Sequence, residues 1–454
     1  MKRRNDRMLL GAFIHSTHLA GWRHPDARPE SITDLNYYKS FAQTAERGRF
    51  DLFFVADKLC MIESELAIAH TNNHLSLEPM SLLAALSAVT DRIGLAATIS
   101  TSYNEPYHAA RTLATLDHLS DGRAAWNIVT STNDEEARNF GREKHYDHAS
   151  RYERAKEFVE VAAGLWDCWE DGAFPMDRDS GRFADRDKLH VLDHKGSHFS
   201  VKGPMNIARP PQGRPILVHA GSSEAGMELA ASSADIVFTT PRTLEEGIAQ
   251  YDNFKSRLAA YGRSKDELKV MPGIFLIIGR TEAEAAEKEE LLADLVIPKV
   301  GVDSLSGGLG FDISDLPLDG PMPALPDRNS YNKSRTGLDS IAALAAREDL
   351  TIRQFYQRYA KSKLAFEITG TPEQIADELG LWFESGAADG FNIIPSHTPG
   401  GIEDFVSLVV PELQKRGLVQ TEYAQGTLRE QLGFEKPANR FTLVKAVADK
   451  EGKV

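Results

Sequence analysis

The 454-residue chain has two cysteines, Cys60 and Cys168, so no disulfide framework and no thiolate metal cluster can be built from it. It lacks an apolar run long enough to span a bilayer. The run from Met8 to Ile14, behind the basic Met1-Lys2-Arg3-Arg4, has the length of a strand and makes no convincing export signal. It also lacks a basic cluster: 52 Lys and Arg stand against 66 Asp and Glu, for a net charge of -14, and neither nucleic acid nor an anionic membrane finds its footprint. No Gly-x-Gly-x-x-Gly follows a strand and no P-loop is present, which removes the fingerprints of a bound dinucleotide and of a nucleotide triphosphatase. These absences leave an acidic, compact protein of a reducing cytoplasm as the expectation.

What is present is alternation. The chain is 42% hydrophobic and 26% charged, enough for a large core. Eight apolar runs of strand length are separated by longer stretches of helical period: Met8 to Ile14, Asp51 to Ala56, Ile93 to Thr98, Ala124 to Val129, Ile216 to Ala220, Ile236 to Thr239, Val270 to Ile278 and Gly390 to Ile394. Eight strand–helix pairs predict a single α/β (β/α)8 TIM barrel, with an open doubly wound sheet as the alternative. Two stretches rich in Gly, Pro and charge, about 170–213 and 300–335, interrupt the pattern as insertions after strands 4 and 7. Active sites collect at the carboxyl ends of barrel strands, so both insertions are candidate lid material. Arg178, Arg182, Arg186 and Lys188 in the first either recruit a carboxylated substrate or form a solvated face. After Gly417 a C-terminal extension either caps the barrel or frays. The predicted division is a barrel domain over 1–432 and a tail over 433–454.

Polar residues just past the strands are the ones such a barrel uses. Asp57 ends the second run, with capping as its alternative role. The third ends in Thr98-Ile99-Ser100-Thr101-Ser102-Tyr103, and the fourth leads through Asn127 into Thr130-Ser131-Thr132-Asn133. Two hydroxyl- and amide-rich edges side by side suggest one polar pocket. After the fifth run, Ala220-Gly221-Ser222-Ser223 opens a helix whose free N–H groups make a phosphate seat, or serves as a plain N-cap. His148 and Tyr152 lie one helical turn apart and can face one ligand. His15 and His18 are too few, on a strand end rather than a helix, to make a metal set, so no metal is expected.

The chain resembles the bacterial luciferase-like flavin monooxygenases, within them the branch of nitrilotriacetate monooxygenase, pristinamycin synthase and dibenzothiophene-sulfone monooxygenase. The resemblance rests on collinear stretches from about Leu10 to Leu432. They include Gly21-Trp22-Arg23-His24-Pro25, Thr44-Ala45-Glu46-Arg47-Gly48, Tyr103-Asn104-Glu105-Pro106-Tyr107, Gly122-Arg123-Ala124-Ala125-Trp126-Asn127, Arg209-Pro210-Pro211-Gln212-Gly213 and Asp389-Gly390-Phe391-Asn392.

The resemblance implies a barrel that holds FMN at the carboxyl ends of its strands. Asp57, Thr101, Asn127 and Thr130 would lie along the isoalloxazine and ribityl part. His148, Tyr152, Ser222 and Ser223 would approach the ribityl end and the phosphate. It further implies reduced FMN supplied by a separate NAD(P)H:FMN reductase, O2 as co-substrate, and oxidation of a small organic substrate by hydroxylation or cleavage at C–N or C–S. A homodimer or homotetramer is expected. His18, and after it His397 in Pro395-Ser396-His397, are the expected catalytic residues. The site must be dry and closed for such chemistry. Two other readings keep the fold: a deazaflavin-dependent dehydrogenase and a non-catalytic flavin-binding protein.

Overall fold

The computed structural model of the protein describes residues 6–14, 18–61, 64–72, 75–221, 223–327 and 335–443. Eight parallel strands close on themselves: β1 (Leu9–Phe13), β2 (Leu52–Val55), β3 (Gly94–Ser100), β4 (Ala124–Val129), β5 (Ile216–His219), β6 (Ile236–Thr239), β7 (Lys269–Ile278) and β8 (Gly390–Pro395). Neighbours in sequence are neighbours in the ring, and β8 returns to β1 with Gly11 opposite Asn392. The ring is the predicted TIM barrel, and each of its strands was legible as an apolar run. β7 is the longest because it serves three neighbours. Its first half pairs with β6, Gly273 to Leu276 pair with β8, and its carboxyl end pairs with an accessory strand, Glu367–Gly370.

The two faces of the strands bury different things. Leu10, Ala12, Phe53, Val55, Leu95, Ile274 and Ile393 point outward into the layer beneath the helices. Leu9, Leu52, Phe54, Ala96, Ala125, Ile216, Val218, Ile236 and Met271 fill the barrel from within. The C-terminal extension caps the floor of that interior: Leu428, Leu432 and Phe434 complete the inner cluster from the amino end. Arg429 grips Asp235 with two nitrogens at 3.0 and 3.1 Å, both side chains being buried. Beyond the cap the chain stays anchored, with Asn439 and Arg440 bonded to Asp167.

The insertions follow strands 4 and 7 as expected, and they differ from expectation in form. The first begins where the helix His148–Trp166 has run down to the amino end of the barrel, and it returns there to start β5. It lies along the outside of that helix: Glu157 accepts from the backbone N–H of His198 and Phe199 at 3.0 and 2.8 Å, and Phe199 packs on Phe158. By these contacts it packs on that helix. Arg182 pairs with Asp185, and Lys188 bonds the carbonyls of Asp171 and Gly172, so both serve the insertion itself.

The second insertion, expected over 300–335, is built largely on helices and runs on further. Helices Pro298–Leu309, Arg335–Arg347 and Ile352–Ser362 share a core of Val302, Leu305, Leu309, Ile341, Leu344, Ile352, Phe355 and Tyr356. The Gly and Ser content of Pro298–Leu309 argues against a helix on propensity, and tertiary packing overrides it. A Cβ on Gly301 would stand 2.4 Å from the Tyr356 ring, so glycine lets two helices approach closely. No helix among the described residues is long and apolar enough to cross a membrane.

Candidate active site at the carboxyl mouth of the barrel

The uppermost inward layer is aromatic. Phe13, Phe54 and Phe238, from β1, β2 and β6, bring their ring centroids within 5.4 to 6.2 Å of one another. Opposite, Gly273 leaves out a side chain whose Cβ would lie 2.6 Å from Phe238. These rings make an apolar floor, and the polar strand ends stand around it.

Asn127 donates from Nδ2 to Thr98 Oγ1 at 2.9 Å, and that hydroxyl donates to the Val55 carbonyl at 2.8 Å. The relay fixes the amide and leaves Asn127 Oδ1 buried without a protein partner. His219, at the end of β5, is held through Nδ1 by the Ile128 carbonyl at 3.0 Å, and its Nε2 is likewise buried and unpartnered. Burial lowers its pKa to about 4, so the ring is neutral. A buried polar atom without a partner costs free energy, and two at one rim mark where a polar ligand completes the structure.

Asp57 is half-buried beyond β2, and its pKa is raised to about 6. Burial is the main cause, opposed by the Lys58 backbone N–H and reinforced by Glu78 and Glu136. Thr101 is fully buried, and its hydroxyl donates to the Val129 carbonyl at 3.2 Å, so it ties β3 to β4. Thr130 is buried beside it, its carbonyl accepting from the Ser102 hydroxyl at 2.6 Å.

Two helix amino ends meet at one side of the mouth. Ser223 caps Glu224–Ser233 by accepting from Gly226 N at 3.2 Å, and lies 3.5 Å from the Tyr152 hydroxyl. Tyr152 stands on the first turn of His148–Trp166, with its ring 4.9 Å from His148 and 6.4 Å from His219. Ser222 lies outside the described residues, as does His15. Gly221 is required here, because a Cβ would meet His219 Nε2 at 2.7 Å. Arg151, not singled out from the sequence, belongs to this corner: its Nε is buried without a partner and its guanidinium lies 5.8 Å from the Tyr152 ring.

The histidines gather on the other side. His18 is buried beside Phe275, ring centroids 6.2 Å apart, and its Nδ1 accepts from Ala20 N at 3.1 Å. Burial, then Lys361 and His24, lower its pKa to about 3. A neutral ring whose Nδ1 accepts carries its proton on Nε2, which makes His18 a hydrogen-bond donor. His397 is also held neutral, at about 3, by burial and by His24, on which it stacks at 3.7 Å. It lines a separate cavity of about 580 Å³ with Arg28, Arg280, Lys288 and Asp404. His24, Asp26 and His397 offer ligand atoms within 4.8 Å of one another. Their imidazoles stack in near-parallel planes, however, and in-plane lone pairs of stacked rings do not converge on one ion.

The fold and this mouth define a barrel enzyme with a polar, aromatic-floored site, and the family follows. Residues 12–389 match the luciferase-like monooxygenase family, and the chain belongs to it. It is 47% identical to the N-acetyl-S-(2-succino)cysteine monooxygenase of Bacillus subtilis (strain 168), over 97% of this chain and all of that one. It is also 47% identical to nitrilotriacetate monooxygenase component A of Aminobacter aminovorans, over 96% and 98%. Among solved structures it is similar to DmoA from Hyphomicrobium sulfonivorans (TM-score 0.85, 32% identity, 94% and 92% covered). A riboflavin lyase with modified FMN and riboflavin is similar too (TM-score 0.81, 31% identity, 96% and 98% covered). The protein is a monooxygenase of the luciferase-like class.

Proposed function

We propose that this chain is the oxygenase of a two-component system, which receives reduced FMN from a separate NAD(P)H:FMN reductase and uses O2 to oxidise a small organic substrate at a carbon bound to N or S. The observation that carries it is the pair of buried, unpartnered atoms, Asn127 Oδ1 and His219 Nε2, above a floor of three phenylalanines. A flat heteroaromatic ring with polar edges fits that combination. Asp57, Asn127, Thr130 and Thr101 would flank the ring. His148, Tyr152, Ser223 and Arg151 would hold the phosphate at two helix amino ends, where free N–H groups and the helix dipole favour an anion.

Bound reduced FMN supplies the electrons with which O2 is activated; the protein's own part is binding, orientation and dryness. The phenylalanine floor would keep water from one face of the bound ring, and the helical insertion would wall the space beside it. His18, a neutral imidazole, would face the oxidant or substrate, and His397, which lines the separate cavity, is the less direct candidate. At a pKa of about 3, neither is a cation at neutral pH.

Anaerobic titration with FMNH2, followed by mixing with aerated buffer while the flavin spectrum is recorded, tests this. Stoichiometric binding and a transient absorbance change are expected. Binding of a reduced deazaflavin in place of FMNH2, with no response to O2, would replace the reading by a dehydrogenase.

A further inference from the structure

A cavity of about 1270 Å³ lies between the mouth and the helical insertion. Its wall includes Leu19, next to His18, Lys58, next to Asp57, and Asn133 beyond β4, so it borders the mouth. On the insertion side it is lined by Asp303, Tyr359 and Lys363. Ser64 donates to Asp303 Oδ2 at 2.6 Å and ties the two walls together.

Its charges are unequally satisfied. Of the two carboxylates on the wall, Asp303 takes the Ser64 hydroxyl, and Asp312 takes the backbone N–H and hydroxyl of Ser314, both at 2.9 Å. The lysines on the wall are Lys58, Lys299 and Lys363, and among the described residues no carboxylate pairs with Lys58 or Lys363. Lys363 is surrounded by protein at longer range, yet its side chain stands exposed in the open cavity. Burial and then the neighbouring Lys58 lower its pKa, so the two ammonium groups act on one another.

Lys363 is the left-handed C-cap of Ile352–Ser362, its backbone N–H bonded to the Tyr359 carbonyl. Lys363 and Leu364 are consecutive non-glycine residues at φ 53° and 62°. Two lysines on the wall of one cavity, with no carboxylate paired to either among the described residues, are a site for a ligand with more than one negative charge.

We propose that Lys58 and Lys363 form a carboxylate-binding pair in this cavity and that the substrate is a polycarboxylate. This rests on the monooxygenase reading for the claim that what binds there is substrate. Arg178, Arg182, Arg186 and Lys188, on the outer insertion, have no part in it.

The test is calorimetric binding to the full chain in metal-free buffer. The probes are nitrilotriacetate, N-acetyl-S-(2-succino)cysteine and, as the uncharged control, the trimethyl ester of nitrilotriacetate. FMN binding is followed separately by fluorescence. At least one of the acids is expected to bind while the ester does not. Lys363→Gln and Lys58→Gln should each weaken the acid by about tenfold or more, equivalent to about 1.4 kcal/mol or more. Lys363→Arg should restore binding, and the Lys363→Gln curve for FMN should stay where it was. Equal binding of acid and ester, wild-type affinity in both Gln variants, or no binding of either acid overturns the proposal. Lysine-dependent binding of an acid by a chain that binds no FMN would keep the pair and sink the monooxygenase reading instead.

Discussion

At the scale of the residue, the mouth is built from groups whose protonation burial has moved. Asp57 is one whose change falls near neutrality. With its pKa raised to about 6, it holds a proton below that pH and is an anion above it. An anion accepts two or more hydrogen bonds, whereas the acid must donate one. If Asp57 accepts from an N–H of the flavin ring, FMN affinity rises with pH through about 6 and levels off above 7. Asp57→Asn removes the inflection and weakens binding at pH 7.5 by about tenfold, one charge-assisted hydrogen bond. Fluorescence titrations at a series of pH values decide it; a flat wild-type profile places Asp57 away from the ring. The position of Asp57 and Asn127 at the mouth was legible in the sequence because each ends or sits within an apolar run that a barrel aims there. His219 was not, since a histidine inside a strand has the look of packing. Its meaning comes from Gly221, which clears the space at Nε2. Lys363 was hidden for the opposite reason: two left-handed residues that are not glycine leave no mark in a sequence.

At the scale of the element, the strands and their helices were legible and the second insertion was not. Strands announce themselves by short apolar runs between turn residues. Pro298–Leu309 hides its helical period behind Gly301, Gly307 and Gly308. The structure assigns these glycines different jobs. Gly301 abuts the buried Tyr356 ring, where a methyl would stand 2.4 Å from Cδ2, while a Cβ on Gly307 would meet nothing within 4 Å. Alanine is worth about 1 kcal/mol more than glycine in a helix interior, so at Gly307 it should stabilise. At Gly301 the clash must be relieved by moving a ring with no free space, at a cost of roughly 1–3 kcal/mol that outweighs the propensity gain. Hydrogen exchange over Pro298–Leu309 and Ile352–Ser362 reads both: protection should rise in Gly307→Ala and fall in Gly301→Ala. Equal behaviour of the two would mean the helices do not pack as described, and the roof over the cavity would have to be redrawn.

At the scale of the whole molecule, the two ends of the barrel respond to pH differently. The amino end is pinned by Arg429 and Asp235, whose carboxyl pKa stays below its ordinary value because two arginines outweigh burial. The carboxyl end carries His18, His219 and His397, held neutral at about 3, 4 and 3 against an ordinary value of 6.5. Between those values the unfolded chain takes up protons that the folded chain refuses. Stability is therefore complete above 6.5 and is lost as the pH falls toward 3. Each histidine contributes a slope of up to about 1.4 kcal/mol per pH unit, so the three together reach about 4 in the middle of the window. Urea unfolding at pH 7.5, 6 and 5 should show the decline setting in below 6.5, at a pH where the Asp235 pair is still ionised. Replacing His219 by Gln, which keeps a polar group but cannot titrate, should remove about a third of the slope. FMN bound at the mouth stabilises the folded state by mass action and should raise the whole curve. If the slope in His219→Gln matches the wild type, the acid sensitivity arises elsewhere, and the neutral rim of histidines is not what sets the lower pH limit of the fold.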